Sequence, residues 1–341
     1  MLTERLNLEC PILSAPMGSF ASPGLAAKVS NAGGLGGIGM SGYQPKEVDT
    51  RIAAFRQQST RSLNINFLLW KNSGAADAVD PIFRNQMQKL YDQNNLGALR
   101  EPTNTSSEIN DDLLKIFKKE KPEVISFHLG IPPSEILDEI KFQGSMVICS
   151  ATTVEEAKYL QKEGVDAVIA QGIEAGGHRG TFTDTCISQQ SGLFSLLPQI
   201  CDAVSVPVIA CGGIADGRGI AAALMLGASA VQLGTAFLRC PEADITDEHR
   251  AALEQSTPDN TAITSLASGK PARMVINKLF EELRDFEFKT LPFPAQLEWT
   301  KPLAKNRDSG FLPIYSGQST SLTKEMSAKN LVAKLREETT N

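Results

Sequence analysis

Val165-Asp-Ala-Val-Ile-Ala-Gln171, followed directly by Gly172-Ile-Glu-Ala-Gly-Gly-His178, is the stretch on which the fold turns. The apolar run from Val165 to Ala170 reads as a buried strand. A continuous run of this kind marks a strand covered on both faces, as in a parallel sheet. The strand ends abruptly in a glycine-rich loop. Small residues let backbone approach a bulky ligand closely. His178, one of three histidines in the chain, carries the side chain best suited to proton transfer near neutral pH. Taken alone, the octapeptide fits a ligand loop and a plain turn with a surface histidine equally well.

The flanking sequence repeats the same unit. Upstream, Ser145–Ala151 is a strand. Thr152 or Thr153 then caps a helix whose first turn holds Glu155 and Glu156, and Gly164 stops it. Downstream come a helix over Leu193–Val204, a strand from Val206 to Cys211 ending in Gly212-Gly213, a helix over Asp216–Leu226 and a strand over Ala230–Leu238. Earlier strands fall at Cys10–Met17, Leu35–Met40, Leu63–Leu69 and Val124–Gly130. Helices over Leu25–Asn31, Pro45–Gln58, Pro81–Tyr91, Asp111–Glu120 and Pro133–Phe142 connect them. Helical connections demand parallel pairing with right-handed crossovers. Eight strand–helix units over about 240 residues predict an α/β fold, a (β/α)₈ TIM barrel. The competing doubly wound sheet calls for an early Gly-x-Gly-x-x-Gly at the first turn, and Met17-Gly-Ser-Phe20 does not supply one.

The whole chain, 1–341, reads as one domain, with a barrel core over about 8–285 and a C-terminal extension over about 286–341 packing across the barrel. Within 239–341, Val275–Arg284 has the pattern of a terminal helix, Leu291–Pro313 reads as a Pro-rich loop tract and Thr323–Glu338 as a helix. Residues 71–111 form a surface insertion, of which 92–111 is polar and poor in pattern.

A hydrophobic content of 42% is ample for a core, and a net charge of −6 argues against a nucleic-acid or anionic-membrane surface. Six cysteines occur without a Cys-x-x-Cys pair or a histidine at zinc spacing, so free thiols and no metal site are expected. The N-terminus lacks a signal-peptide core, which points to a cytoplasmic protein. Gly219–Leu238 is free of charge but splits around Gly227 into a helical and a β half, so it reads as helix–turn–strand and not as a membrane span.

In a barrel of this type, ligands bind at the C-terminal ends of the strands. Those ends supply Ala15-Pro16-Met17, Met40-Ser41-Gly42, Asn66, His128, Ser150, Gln171 to His178, Cys211-Gly212-Gly213 and Gln232-Leu233-Gly234-Thr235. The last two loops frequently hold a phosphate through backbone N–H groups, and Gly212, Gly213, Gly234 and Thr235 fit that role. Asp216 is either part of that site or a helix cap. One phosphate implies a mononucleotide, and FMN is the usual one for a barrel. Gln171 and Asn66 would then hydrogen-bond the polar edge of the ring, with Pro16, Met17 and Gly176 against it. His178, following Gly177, would face the substrate. His128 reads as a weaker lining residue and His249, in a charged helix, as a surface residue.

With these segments together, the chain resembles the nitronate monooxygenases, formerly called 2-nitropropane dioxygenases. The resemblance rests on Ala15-Pro-Met17, Ala32-Gly-Gly34, Gln171-Gly-x-Glu-Ala-Gly-Gly-His178, Cys211-Gly-Gly-Ile-Ala215, Gln232-Leu-Gly-Thr-Ala236, Ser268-Gly-Lys-Pro-Ala-Arg273 and Tyr315-Ser-Gly-Gln318. It implies an enzyme that binds FMN non-covalently and oxidises alkyl nitronates, such as propionate 3-nitronate, with O2. The products would be a carbonyl compound and nitrite or related nitrogen oxides, a detoxification. His178 matches the family's active-site histidine, either as a base toward a neutral nitroalkane or as a donor that stabilises the nitronate anion. Tyr315 and Gln318 are expected near the site without an assigned role, and the oligomeric state is left open. FMN-dependent enoyl-acyl-carrier-protein reductases share the Gly-Gly-His loop but usually begin it with Glu where this chain has Gln171. A flavin-dependent NAD(P)H:quinone reductase is the third reading.

Overall fold

The computed structural model describes residues 2–71, 74, 79–183, 185–305 and 310–340. Residues 72–73 and 75–78 of the expected insertion lie outside that description. In chain order, α1 (Leu2–Arg5) precedes β1 (Ile12–Ser14), followed by α2 (Pro23–Asn31), β2 (Gly36–Gly39), α3 (Pro45–Arg56) and β3 (Leu63–Leu68). Next come α4 (Pro81–Gln93), α5 (Asp111–Glu120), β4 (Val124–His128), α6 (Ser134–Phe142), β5 (Met146–Ala151), α7 (Val154–Lys162) and β6 (Ala167–Gln171). The two-residue strand β7 (Gly177–His178) leads to α8 (Leu193–Ala203), β8 (Val208–Cys211), α9 (Gly217–Met225), β9 (Ala230–Leu233) and α10 (Thr235–Leu238). The remainder holds α11 (Asp247–Gln255), β10 (Thr261–Thr264), β11 (Ala272–Val275), α12 (Lys278–Leu283), α13 (Gln296–Lys305) and α14 (Ala328–Thr340).

Eight parallel strands run in the order β1-β9-β8-β6-β5-β4-β3-β2. A parallel bridge between Leu13 and Leu35 brings the two ends together, with Leu35 N donating to Ile12 O and Ser14 N to Leu35 O. This is the (β/α)₈ barrel. The continuous apolar strands have a direct cause, because each residue enters one of two cores. Ala167, Ile169, Met146, Ile148, Ile209 and Ala230 fill the barrel interior. Val168, Ala170, Val147, Cys149 and Ala210 pack outward under the helices. Leu2 and Leu6 plug one end of the interior.

Capping sets the helix starts. Ser22, Asp80, Asn110, Thr153, Asp216, Thr246 and Asn277 each accept a backbone N–H in the first turn that follows. Asp216 is therefore a helix cap, bonded to Gly219 N and paired with Arg218. At Gly36 a Cβ would sit 2.1 Å from Ala26 O, so α2 can rest on β2 only because that residue is glycine.

The structure differs from the sequence-based expectation in four places. First, the strand expected over Ala230–Leu238 stops at Leu233, and Thr235–Leu238 is helical. Second, Val275–Arg284 divides into the end of β11 and the helix α12. Third, the Pro-rich tract Leu291–Pro313 contains α13, whose Trp299 is wholly buried. Fourth, α14 packs between α9 and α2 and takes the eighth helical place in the ring, with Glu338 accepting from Gly217 N.

The stretch 71–111 is more than surface. Phe83, Met87, Leu90, Tyr91 and Leu99 share a second core with Leu266, Met274, Leu279, Leu291, Trp299 and Phe311. Tyr91 Oη donates to Trp299 O at 2.9 Å, and Trp299 Nε1 to Arg100 O at 2.9 Å. No helix among the described residues is long and apolar enough to cross a membrane.

Trp299 lies wholly buried in that second core, its ring tilted 32° to that of Phe83 with centroids 6.0 Å apart. Trp299→Ala is expected to lower stability by about 3–5 kcal/mol, read as a drop in the urea midpoint. A change below 1 kcal/mol would show that 81–99 and 266–311 do not depend on this contact.

Candidate active site

The pleat of each strand aims alternate residues at the barrel mouth. The residues that follow the interior core positions are Asn66, His128, Ser150, Gln171, Cys211 and Gln232, and all six line one cavity of about 580 Å³. Ala15, Pro16, Met17, Gly176, Gly177, His178, Gly212, Gly213, Gly234, Thr235 and Tyr315 line it as well. Of the residues expected at the site, Met40, Leu233 and Gln318 are not among the lining residues, and Met40 is buried in the outward core. The Leu233 side chain is one step out of register, faces the helix layer and is 1% exposed. Its carbonyl accepts from Ala15 N. The Gln318 N–H donates to Glu174 O.

A small antiparallel sheet, β10-β11-β7, is built from the loop after β6 and the segment after β9. His178 pairs with Ala272 and Gly177 with Arg273. Met274 bridges to Tyr315. This sheet sets His178 and Tyr315 side by side, with ring centroids 5.4 Å apart.

Gln171 lines the cavity and also anchors the loop. Its Nε2 donates to His178 O at 3.1 Å and its Oε1 accepts from Gly180 N at 2.8 Å, so its amide holds the loop that carries His178. His128 also holds it. Its Nε2 donates to the same carbonyl at 3.1 Å, which makes Nδ1 the acceptor from Ser150 Oγ at 2.9 Å. Asn66 donates through Nδ2 to Ser126 O and Oγ, so its amide oxygen stays outside those bonds.

Several residues at the site were not read from the sequence. Arg179, fully buried, donates to Gln171 O at 2.8 Å, Gly172 O at 2.7 Å and Gln190 Oε1 at 2.7 Å. Arg273 donates to Ile173 O, and Ser268 Oγ bonds His178 Nε2 at 2.9 Å. Lys270 Nζ donates to Thr181 O at 2.7 Å, close enough to both histidines to depress their basicity. Trp70, Phe293, Leu297 and Lys301 line the outer wall. Trp70 stands two residues past the third strand, within reach of a slightly longer strand-end reading. Phe293 and Lys301 were hidden in the tract read as loop.

The site is electrically quiet. Burial pushes His178 down to about 3 and His128 to about 4, so both rings are neutral at pH 7. Burial pushes Tyr315 up to about 12 and Cys211 to about 11, which keeps both protonated. Among the described lining residues, Lys301 is the only Lys, Arg, Asp or Glu.

His249 is not the surface residue its charged helix suggests. It is 1% exposed, its ring lies 5.1 Å from Phe20 in an edge contact, and it bonds the Tyr315 backbone. Its Nε2 has no partner.

A family model described as nitronate monooxygenase matches residues 1–338. The chain is 35% identical to a nitronate monooxygenase of Paraburkholderia phytofirmans over 99% of this chain and 94% of that protein. It is 36% identical to one of Pseudomonas aeruginosa, covering 98% of both chains. The chain belongs to the nitronate monooxygenase family. It is an oxidoreductase, and the family supports oxidation of nitronates. Among solved structures, the nitroalkane oxidase of Streptomyces ansochromogenes superposes with a TM-score of 0.90 at 32% identity, over 99% of this chain and 97% of that one. FabK from Thermotoga maritima superposes less closely, with a TM-score of 0.76 at 29% identity over 99% and 95%.

The three histidines of this family member make its stability depend on pH. Each falls from an ordinary 6.5 to about 3 or 4 on folding. Between those values the unfolded chain binds more protons, so stability is present above about pH 6.5 and is lost as pH falls. Near pH 5 the slope should approach about 4 kcal/mol per pH unit, from three groups at about 1.4 each. Urea midpoints at pH 7, 6 and 5 measure it. A flat profile would mean that the histidines are not buried neutral.

Proposed function

We propose that this chain is an FMN-dependent monooxygenase that oxidises alkyl nitronates, propionate 3-nitronate among them, with O2 to a carbonyl compound and nitrite or related nitrogen oxides. Membership of the nitronate monooxygenase family supports the reaction class. The residues present fit an FMN. Gln232 Oε1 is a buried acceptor at the cavity without a partner. Gly177, at positive φ, leaves open backbone along the wall, since a Cβ there would meet nothing within 4 Å. Met17, Gln232 and the Gly212-Gly213 and Gly234-Thr235 turns would hold the group, which supplies electron transfer from substrate and reactivity toward oxygen.

The chain's own contribution centres on His178. Ser268 takes Nε2, which leaves Nδ1 as the ring nitrogen for a ligand. A side chain pushed down to about 3 is poorly matched to general-base work at neutral pH. The neutral imidazole instead acts as an N–H donor to a nitronate oxygen, with Ser268 Oγ donating into Nε2. The single observation that carries this reading is the burial of His178 beside a cavity that contains no carboxylate among its described lining residues.

His178→Asn should leave FMN bound and lower kcat by about a hundredfold or more, the scale of one lost oxyanion-type donor. Oxygen uptake with propionate 3-nitronate and with neutral 3-nitropropionate separates the roles. Turnover of the nitronate alone is expected. Equal turnover of both would make His178 the base. Rapid anaerobic bleaching of the flavin by NADPH, with no oxygen uptake on nitronate, would place the chain with the reductases.

A further inference from the structure

We infer that Glu156, a carboxylate outside the cavity, is a positioning residue for His178, because it ties together the two backbone segments between which that histidine is held. Its effect on turnover rests on the reading that His178 meets the nitronate. Glu156 lies in the first turn of α7, beside Glu155, which is exposed and paired with Lys158. Glu156 is instead wholly buried, and it is not among the residues that line the cavity. A buried carboxylate is costly unless hydrogen bonds fill its lone pairs. Here they come from two separate parts of the chain.

Glu156 Oε2 accepts from Thr152 N at 2.7 Å and Thr152 Oγ1 at 2.8 Å, directly after β5. Its Oε1 accepts from Thr181 Oγ1 at 2.8 Å, Phe182 N at 3.0 Å and Thr183 Oγ1 at 2.9 Å, where the loop leaves His178. Burial alone would raise the carboxyl, and these bonds outweigh it and hold it below its ordinary value. Two routes lead from this clamp to His178. Along the backbone, Ser150 donates to His128, and His128 donates to His178 O. His128 thus spans the gap that Glu156 sets. That gap is tight, since a Cβ at Gly180 would lie 2.8 Å from His128 Cε1 and 3.1 Å from Ser150 Cβ. Toward the ring, Lys270 Nζ donates to Thr181 O, and Ser268, two residues before Lys270, bonds His178 Nε2. Burial depresses the Lys270 ammonium, and the Glu156 charge opposes that.

The test is Glu156→Gln in the full-length, FMN-loaded chain. A Gln accepts through one oxygen only, so one of the two segments loses its acceptor. The first readout is nitrogen NMR of the imidazoles with labelled histidine, which is simple to assign because the chain has three. The His178 and His128 signals should shift, and the His249 signal should stay. Glu155→Gln, which removes a charge from the same helical turn, should shift none. The second readout is kcat for propionate 3-nitronate. Glu156→Gln should lower it by up to about a hundredfold, the scale of a displaced reacting group. In a His178→Asn background the same substitution should cause little further loss, because residues that act through one another are not additive. Thr181→Val removes one donor and keeps the carboxylate. It should show the same pattern more weakly, and it carries both readouts if Glu156→Gln does not fold.

An unmoved His178 signal in both variants overturns the positioning role. So does a loss of kcat that adds in full to that of His178→Asn, since Glu156 would then act on turnover by some route other than His178. If His178→Asn turns over like the wild type while Glu156→Gln still shifts the His178 signal, the role assigned to His178 in the reaction fails and the positioning by Glu156 stands.

Discussion

The Arg179 guanidinium, buried without a carboxylate partner among the described residues, is the constraint on which the site depends. An unpaired buried charge is costly unless its N–H groups are satisfied. Here they are satisfied by carbonyl oxygens of Gln171, Gly172 and the Gln190 amide. Burial still lowers its basicity to about 10. The next carbonyl, Ile173 O, is taken by Arg273, and the one after it, Glu174 O, by Gln318 N. Four consecutive carbonyls, from the last residue of β6 into the irregular loop, thus accept hydrogen bonds from Arg179, Arg273 and Gln318. That is how a segment with almost no secondary structure stays in one conformation at the mouth of a barrel. Gln171 and His128 then act on a backbone already fixed, and both converge on His178 O.

The barrel supplies the rest through parity. Once Ile169 faces the interior, Gln171 must face the mouth and Ala170 must face the helices. The same step carries Ile148 to Ser150 and Ile209 to Cys211. The polar ring around the cavity is therefore a consequence of where each strand ends. Leu233 shows the converse. It adjoins Gln232 in sequence, yet the pleat sends it to the opposite face.

This explains what could be read from the sequence and what could not. The strand count, the strand ends and the glycine loop were legible because periodicity and chain punctuation encode them locally. His249 was not, because Asp247-Glu-His-Arg250 reads as solvent-facing until Phe20 and Tyr315 arrive from elsewhere in the chain. The second core was hidden for the same reason. α13 carries Pro302 and follows two further prolines, and its helical state depends on Trp299 meeting Phe83 from the stretch read as insertion. Helix α14 read correctly as a helix, but its place in the ring is a long-range fact set by the faces of α2 and α9. Ser268 and Lys270 lie inside a quoted motif and Arg179 directly follows another, yet nothing local distinguishes a residue that positions His178 from one that merely adjoins it.

The neutrality of the cavity gives the histidine its use. An imidazolium among buried side chains would need a counter-charge, and the described lining residues provide no carboxylate. A neutral ring held by Ser268 avoids that cost and still presents one nitrogen to a ligand. In a low-dielectric pocket, a hydrogen bond to an anion is worth more than the same bond in water. The ligand that gains most is one that brings its own negative charge into a site without competing charges. A nitronate is such a ligand, and a neutral nitroalkane, which must first lose a proton to a base this site holds near 3, is not.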